Sequence, residues 1–257
     1  MKKKFLMFLA AATLLTMASC KKDEESTPVA EDIAIPSGQF KLELEHQYAD
    51  LPLALNNTYF TNQGEELQFQ NFKYYLTNVK LIKADGSVWS HPESYFLIDL
   101  GNTSSLLPSI TGVPEGDYTS IQFMIGVDST RNVSGAQTGA LAVSNNMFWT
   151  WSTGYIMAKF EGTSPQAPGS TFSYHVGGFQ GVLASQQVLN FAFAPEVLMI
   201  RKSTNPLLKM SIDAQRIFNN DQGINIHDNP TVHQPGMMAK RVIQNFVSGI
   251  EFEHIHN

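Results

Sequence analysis

The chain of 257 residues contains a single cysteine, Cys20, so no disulfide can form within it. Charge is also scarce: Asp, Glu, Lys and Arg make up 16% of the residues and the formal net charge is −6. Beyond Lys22 there is no Lys/Arg cluster, which excludes the broad basic face that nucleic acid or an anionic bilayer requires. No apolar run reaches the roughly 20 residues of a membrane-spanning helix. Also absent are a phosphate-binding glycine loop, Gly-x-Ser-x-Gly, His-Glu-x-x-His and Cys-x-x-Cys-His. Their absence removes the commonest nucleotide, hydrolase, metalloprotease and haem-attachment readings, and no enzyme is read from the sequence. Helical periodicity is almost missing, apart from the stretch from Thr231 to Phe246, which Pro235 and Gly236 interrupt.

What is present begins with an export signal. Lys2, Lys3 and Lys4, an apolar run from Phe5 to Leu15, and the small residues Ala18 and Ser19 precede Cys20 in the order of a bacterial lipoprotein signal. The expected organisation is a signal peptide over 1–19, a lipidated Cys20 with a flexible tether over 20–38, and one domain over 39–257. Acylation of Cys20 would hold the chain to a membrane. The expected location is the outer membrane, as a lipoprotein on its periplasmic face or at the cell surface. Lys21-Lys22-Asp23-Glu24-Glu25 reads equally as a surface-export signal or as a solvated tether.

From Gln39 on, short apolar alternations are separated by Gly, Pro, Asn and Asp. This pattern predicts an all-β chain, a single β-sandwich-like domain with long loops. Phe40, Leu42, Leu44 and His46 share one face of a strand, so His46 points inward. Ile121, Phe123, Ile125 and Val127 line another strand. Ile250, Phe252, His254 and His256 are expected on one face of the last one. The stretch 162–169 reads as a surface loop.

The segment Met147-Phe148-Trp149-Thr150-Trp151-Ser152-Thr153-Gly154-Tyr155 holds two of the three tryptophans. On one continuous strand Trp149 and Trp151 would stand side by side, in phase with Met147 and Tyr155. With Phe172-Ser173-Tyr174-His175-Val176-Gly177 downstream, with Phe72 to Leu81 upstream, and with Gly112-Val113-Pro114-Glu115-Gly116-Asp117-Tyr118 between, the chain resembles the copper-binding MbnP-like family of exported β proteins. The resemblance spans roughly Phe40 to the C-terminus.

That resemblance implies copper, as Cu(I), and makes His175 the foremost ligand candidate. It further implies that Trp149 or Trp151 is a target for oxidation to kynurenine by a partner dihaem peroxidase, and that an outer-membrane transporter is a possible partner. Two departures stand out. Asn132-Val133 replaces the Asn-His of many members, and the cysteine that often follows the His-x-Gly segment is absent. The remaining ligand candidates are His254 and His256, whose His-x-His spacing suits one metal ion, and His46, if the first and last strands lie close together. His227, Asp228 and His233 form a second candidate group, or are loop residues, and His91 reads as a turn residue. The function expected is copper acquisition, delivery or buffering outside the cytoplasm. The alternative is a surface module that has lost the metal and uses Trp149, Trp151 and Tyr155 as a platform for a carbohydrate or a transporter partner.

Overall fold

A computed structural model describes residues 36–135, 137–149 and 153–257. Cys20 and Trp151 lie outside the described residues. The strands in chain order are β1 (Ser37–Tyr48), β2 (Leu51–Pro52), β3 (Thr58–Phe60), β4 (Glu66–Lys83), β5 (Val88–Ser90), β6 (Tyr95–Asp99), β7 (Ser109–Pro114) and β8 (Gly116–Ile125). After the short helix α1 (Ser129–Asn132) come β9 (Ile156–Thr163), β10 (Thr171–Gly177), β11 (Gln187–Ala192), β12 (Leu198–Ile200), β13 (Leu207–Asp213) and β14 (Thr231–Val232). Helix α2 (Met237–Val247) and β15 (Ile250–His256) complete the chain.

These strands build two sheets packed as a β-sandwich, as the alternation predicts. The smaller sheet runs β15-β13-β1-β2, with β7 also on β1, and its β1–β13 pair is parallel. The larger runs β11-β8-β4-β9-β10-β14, with β12 on β8 and with β3, β5 and β6 on β4. The 18-residue β4 is its spine. Tyr74 to Thr77 of β4 are all buried, so at this level the sheet is covered on both faces. One cover is the main core. There Phe72 and Phe160 lie 4.5 Å apart and Phe246 of α2 packs 5.0 Å from Phe160. Ala239, Val242, Ile243 and Phe246 form the buried stripe of α2, a helical spacing that becomes regular only after Pro235 and Gly236.

On the opposite face a second, smaller core gathers Tyr75, Val127, Leu141, Met147, Tyr155, Ile156 and Met157, with Trp149 and Phe179 packed on its edge. The segment 147–155 is therefore not one strand. Phe148 pairs with Tyr155 as an antiparallel bridge, and Trp149 N donates to Gly154 O at 3.0 Å. The chain reverses here because Gly154 adopts φ +72°, a left-handed conformation that favours glycine. Tyr155 is buried and donates its hydroxyl to Leu141 O at 2.7 Å, so it takes no part in an exposed aromatic platform.

The last strand corrects a second expectation. Lys209 pairs with His254 but Met210 with Phe252, so Glu253 is the extra residue of a β-bulge. A bulge exchanges the two faces of the strand beyond it. Phe252 and Ile255 consequently both pack on the core, and His254 and His256 turn outward, level with Lys209 and Leu207.

Candidate metal centre

The outer face of the larger sheet is polar where β4, β9 and β10 run together. Burial alternates along β10, with Phe172, Tyr174 and Val176 inside and Ser173 and His175 outside. On β9 the same phase places Phe160 inside and Lys159 and Glu161 outside. Register sets Glu161 beside Ser173 and Lys159 beside His175. The two-residue β14 then adds on in parallel, with Val232 level with Tyr174, so that the next residue, His233, comes level with His175. The two imidazoles stack with centroids 4.3 Å apart and planes inclined by 26°.

Glu161 organises this group. Its Oε1 lies 2.6 Å from His175 Nε2, and its Oε2 accepts from Asn71 Nδ2 at 2.9 Å and faces Lys159 Nζ at 3.5 Å. Partial burial holds His175 below the ordinary histidine range, against the pull of the Glu161 carboxylate, and the charges of His233 and Lys159 act in the same direction as burial. Burial pushes Glu161 up, but the hydrogen bonds from His175 and Asn71 and the Lys159 charge outweigh it, leaving the carboxyl below its usual range. Both shifts describe one state, a neutral His175 donating Nε2–H to an ionised Glu161. That bond fixes the tautomer and leaves the Nδ1 lone pair as the metal-binding atom, the arrangement carboxylates impose on metal-ligating histidines. His233 Nε2 rests on Ser173 Oγ at 2.7 Å. It also lines a cavity of about 420 Å³ with Met237 and Met238, whose thioethers are soft donors.

Trp149 lies at the end of β10. A Cβ on Gly177 would overlap its indole ring, so the ring lies directly against the glycine backbone. Gly177 is two residues beyond His175 on β10, past a shift in the β9–β10 register between Val176 and Gly177, so Trp149 covers the strand end that follows His175. Val133, where the resemblance led to an expected histidine, is 66% exposed and adds no donor. Its neighbour Asn132 is buried, donating to Val127 O and accepting from Tyr155 N, and so ties α1 to the second core.

The other sequence candidates do not join this group. His46 is 5% exposed within the main core, with Nδ1 on Leu44 O and Nε2 on Tyr74 Oη, both at 3.1 Å. It is level with Ile212 on β13, whereas His254 and His256 point outward two strands away. The first and last strands are thus near each other, but their histidines face opposite sides of the sheet. His227 bonds to Asp228 at 2.9 Å, and both are exposed. His91 accepts from Glu93 N in a turn. Among the described residues no group of three or more His, Cys, Asp or Glu side chains is already arranged to hold a metal ion. The donor set that fits copper best is the two-imidazole pair His175 and His233, with Glu161 behind one ring. Sequence reasoning passed over Glu161 and the pairing of His233 with His175. The outward phase of Lys159 and Glu161 was readable in the alternation of β9, whereas a two-residue strand leaves no periodicity to read.

The sequence profile of the MbnP family matches residues 37–237. Among solved structures the fold is similar to that of MbnP from Methylosinus trichosporium, with 13% sequence identity, 79% of this chain and 84% of that chain covered, and a TM-score of 0.50. That is a likeness of fold. No curated protein matches the chain.

Proposed function

Because the chain belongs to the MbnP family, we propose that it is a lipid-anchored extracytoplasmic protein that binds copper, as Cu(I), for acquisition, delivery or buffering. The observation that carries this reading is the His175–Glu161 pair with His233 stacked on it. A neutral imidazole held by a carboxylate, with a second imidazole stacked on it, suits a soft ion of low coordination number. Binding rather than catalysis is proposed, and oxidation of Trp149 or Trp151 by an exported dihaem peroxidase belongs to the same proposal. So does passage of copper to an outer-membrane transporter.

Titration of the apo protein with Cu(I) against a competing chelator tests it. His175→Ala is expected to weaken binding by about tenfold or more, and Glu161→Gln to weaken it less, since that change removes the orienting carboxylate but no ligand. Absence of Cu(I) binding in the wild type, or equal affinity in His175→Ala, would reject the site. The anchor has a separate test: Cys20→Ser is expected to move the protein from the membrane to the soluble fraction and to remove the acyl mass. A variant that stays in the membrane fraction would exclude lipidation as the means of attachment.

A further inference from the structure

The end of β15 is tied down on its free edge. Glu196 Oε2 accepts from Ile255 N at 2.6 Å, while the Asn257 side chain accepts from Met199 N at 2.8 Å and donates to Val197 O at 2.9 Å. The strand is thus clamped between β13 on one side and the 196–199 segment on the other. The Glu253 bulge has turned His254 and His256 outward from this clamped strand, where Lys209 replaces the core as their neighbour. Their Nε2 atoms meet at 2.8 Å, with ring centroids 4.5 Å apart and planes inclined by 78°. Two donor atoms of this kind aimed at one point, on backbone that is fixed at both edges, form a bidentate chelate in waiting.

The surrounding charge favours a cation. Lys209 is the nearest positive group, and Glu45 pairs with it at 2.6 Å. That bond, opposed by slight desolvation and reinforced by the fields of Glu45, Glu43 and Glu253, holds the Lys209 ammonium above its usual range. Three carboxylates therefore surround one lysine. The pair also lies beyond the residues that match the family profile, which end at 237.

We propose that His254 and His256 form a second, surface metal site for a borderline divalent ion, separate from the His175–His233 group. Imidazole donors without a sulfur ligand select Cu(II) or Zn(II) over softer ions, and Cu(II) heads the affinity order. When the ion binds, the ring that donates Nε2–H gives up that proton to solvent and takes one on Nδ1, so both rings stay neutral and both Nε2 lone pairs face the ion. Water completes the coordination, since the site is open to solvent.

Cu(II) is the probe, added to the intact protein at neutral pH with binding followed by competition and by electron paramagnetic resonance. One equivalent is expected to show superhyperfine coupling to imidazole nitrogens. His256→Ala and His254→Gln should each weaken this binding by about tenfold or more and lose that pattern, with the melting temperature recording that β15 still folds. His175→Ala and His233→Ala should leave it in place. Cu(II) affinity unchanged in both C-terminal variants overturns the proposal, and so does loss of the pattern in His175→Ala alone. Because Cu(I) affinity in the C-terminal variants is predicted to stay unchanged, failure of this site and failure of the proposed copper function give different results.

Discussion

Lowering the pH from 7 to 4 is expected to destabilise the domain by about 3 kcal/mol through His46 alone. His46 lies on β1 in the main core, with Phe72 5.8 Å away on one side and Tyr74 at the same distance on another. Its Nδ1–H donates to Leu44 O, and its Nε2 accepts the Tyr74 hydroxyl. Desolvation by burial lowers its pKa to about 4, with the Leu44 bond offsetting only part of that effect. The unfolded chain binds this proton near pH 6.5, whereas the native state refuses it until about pH 4. The stability contribution is therefore complete above 6.5, declines as the pH falls through this window, and is gone below about 4. Carboxylates also titrate at the acid end, so the measurement is a difference. Urea denaturation of the wild type and of His46→Gln at pH 7, 5.5 and 4 should give curves that converge as the pH falls. Curves that stay parallel would show that His46 is not the titrating group. The same bonds explain why His46 is not available as a ligand: recruiting it would strip Tyr74, which is itself buried, of its partner.

That inward histidine was legible from the alternation of Phe40, Leu42 and Leu44, and so were β8 as far as Ile125, the loop that begins after Thr163, two residues later than expected, and helix α2, whereas Val127 lies past the strand in the second core. A period of two survives wherever a strand has one dry face and one wet one. The motif Gly112 to Tyr118 resolves into the β7–β8 turn, closed by the Tyr118 hydroxyl on Pro114 O at 2.9 Å. Reading failed where a local backbone device breaks the period. Trp149 and Trp151 satisfied an alternation that Gly154 ends by reversing the chain, and the residues Ser152-Thr153-Gly154 were the turn signal that the aromatics outweighed. His254 and His256 satisfied one that the Glu253 bulge inverts, and no residue type there announces a bulge. The metal candidate was half legible: the family motif points to His175, but Glu161 and His233 reach it only through β9–β10 and β10–β14 pairing, contacts made across 14 and 58 residues of sequence.

Replacing Gly177 by alanine is expected to cost about 2 kcal/mol of stability and to disturb the metal candidate at once, because small-to-large changes at a closed contact carry penalties of this size. The backbone conformation of Gly177 is open to any residue, so the effect is purely steric. A methyl group there meets the six-membered ring of Trp149, which is held in turn by its backbone bond to Gly154 and by the second core. The indole must swing away from β10. It would then expose the edge of that core and uncover the strand end that follows His175. Three readouts follow from this one displacement: a lower denaturation midpoint, tryptophan emission shifted to longer wavelength as the ring enters water, and weaker Cu(I) binding. Gly236→Ala is the matched control, since nothing lies within 4 Å of its added Cβ and its backbone is extended. It should leave the emission unchanged and cost no more than the roughly 1 kcal/mol by which alanine is worse than glycine at the N-cap of α2. If Gly177→Ala shows wild-type stability and emission, then Trp149 does not rest on Gly177, and its place at the strand end that follows His175 is lost with that contact.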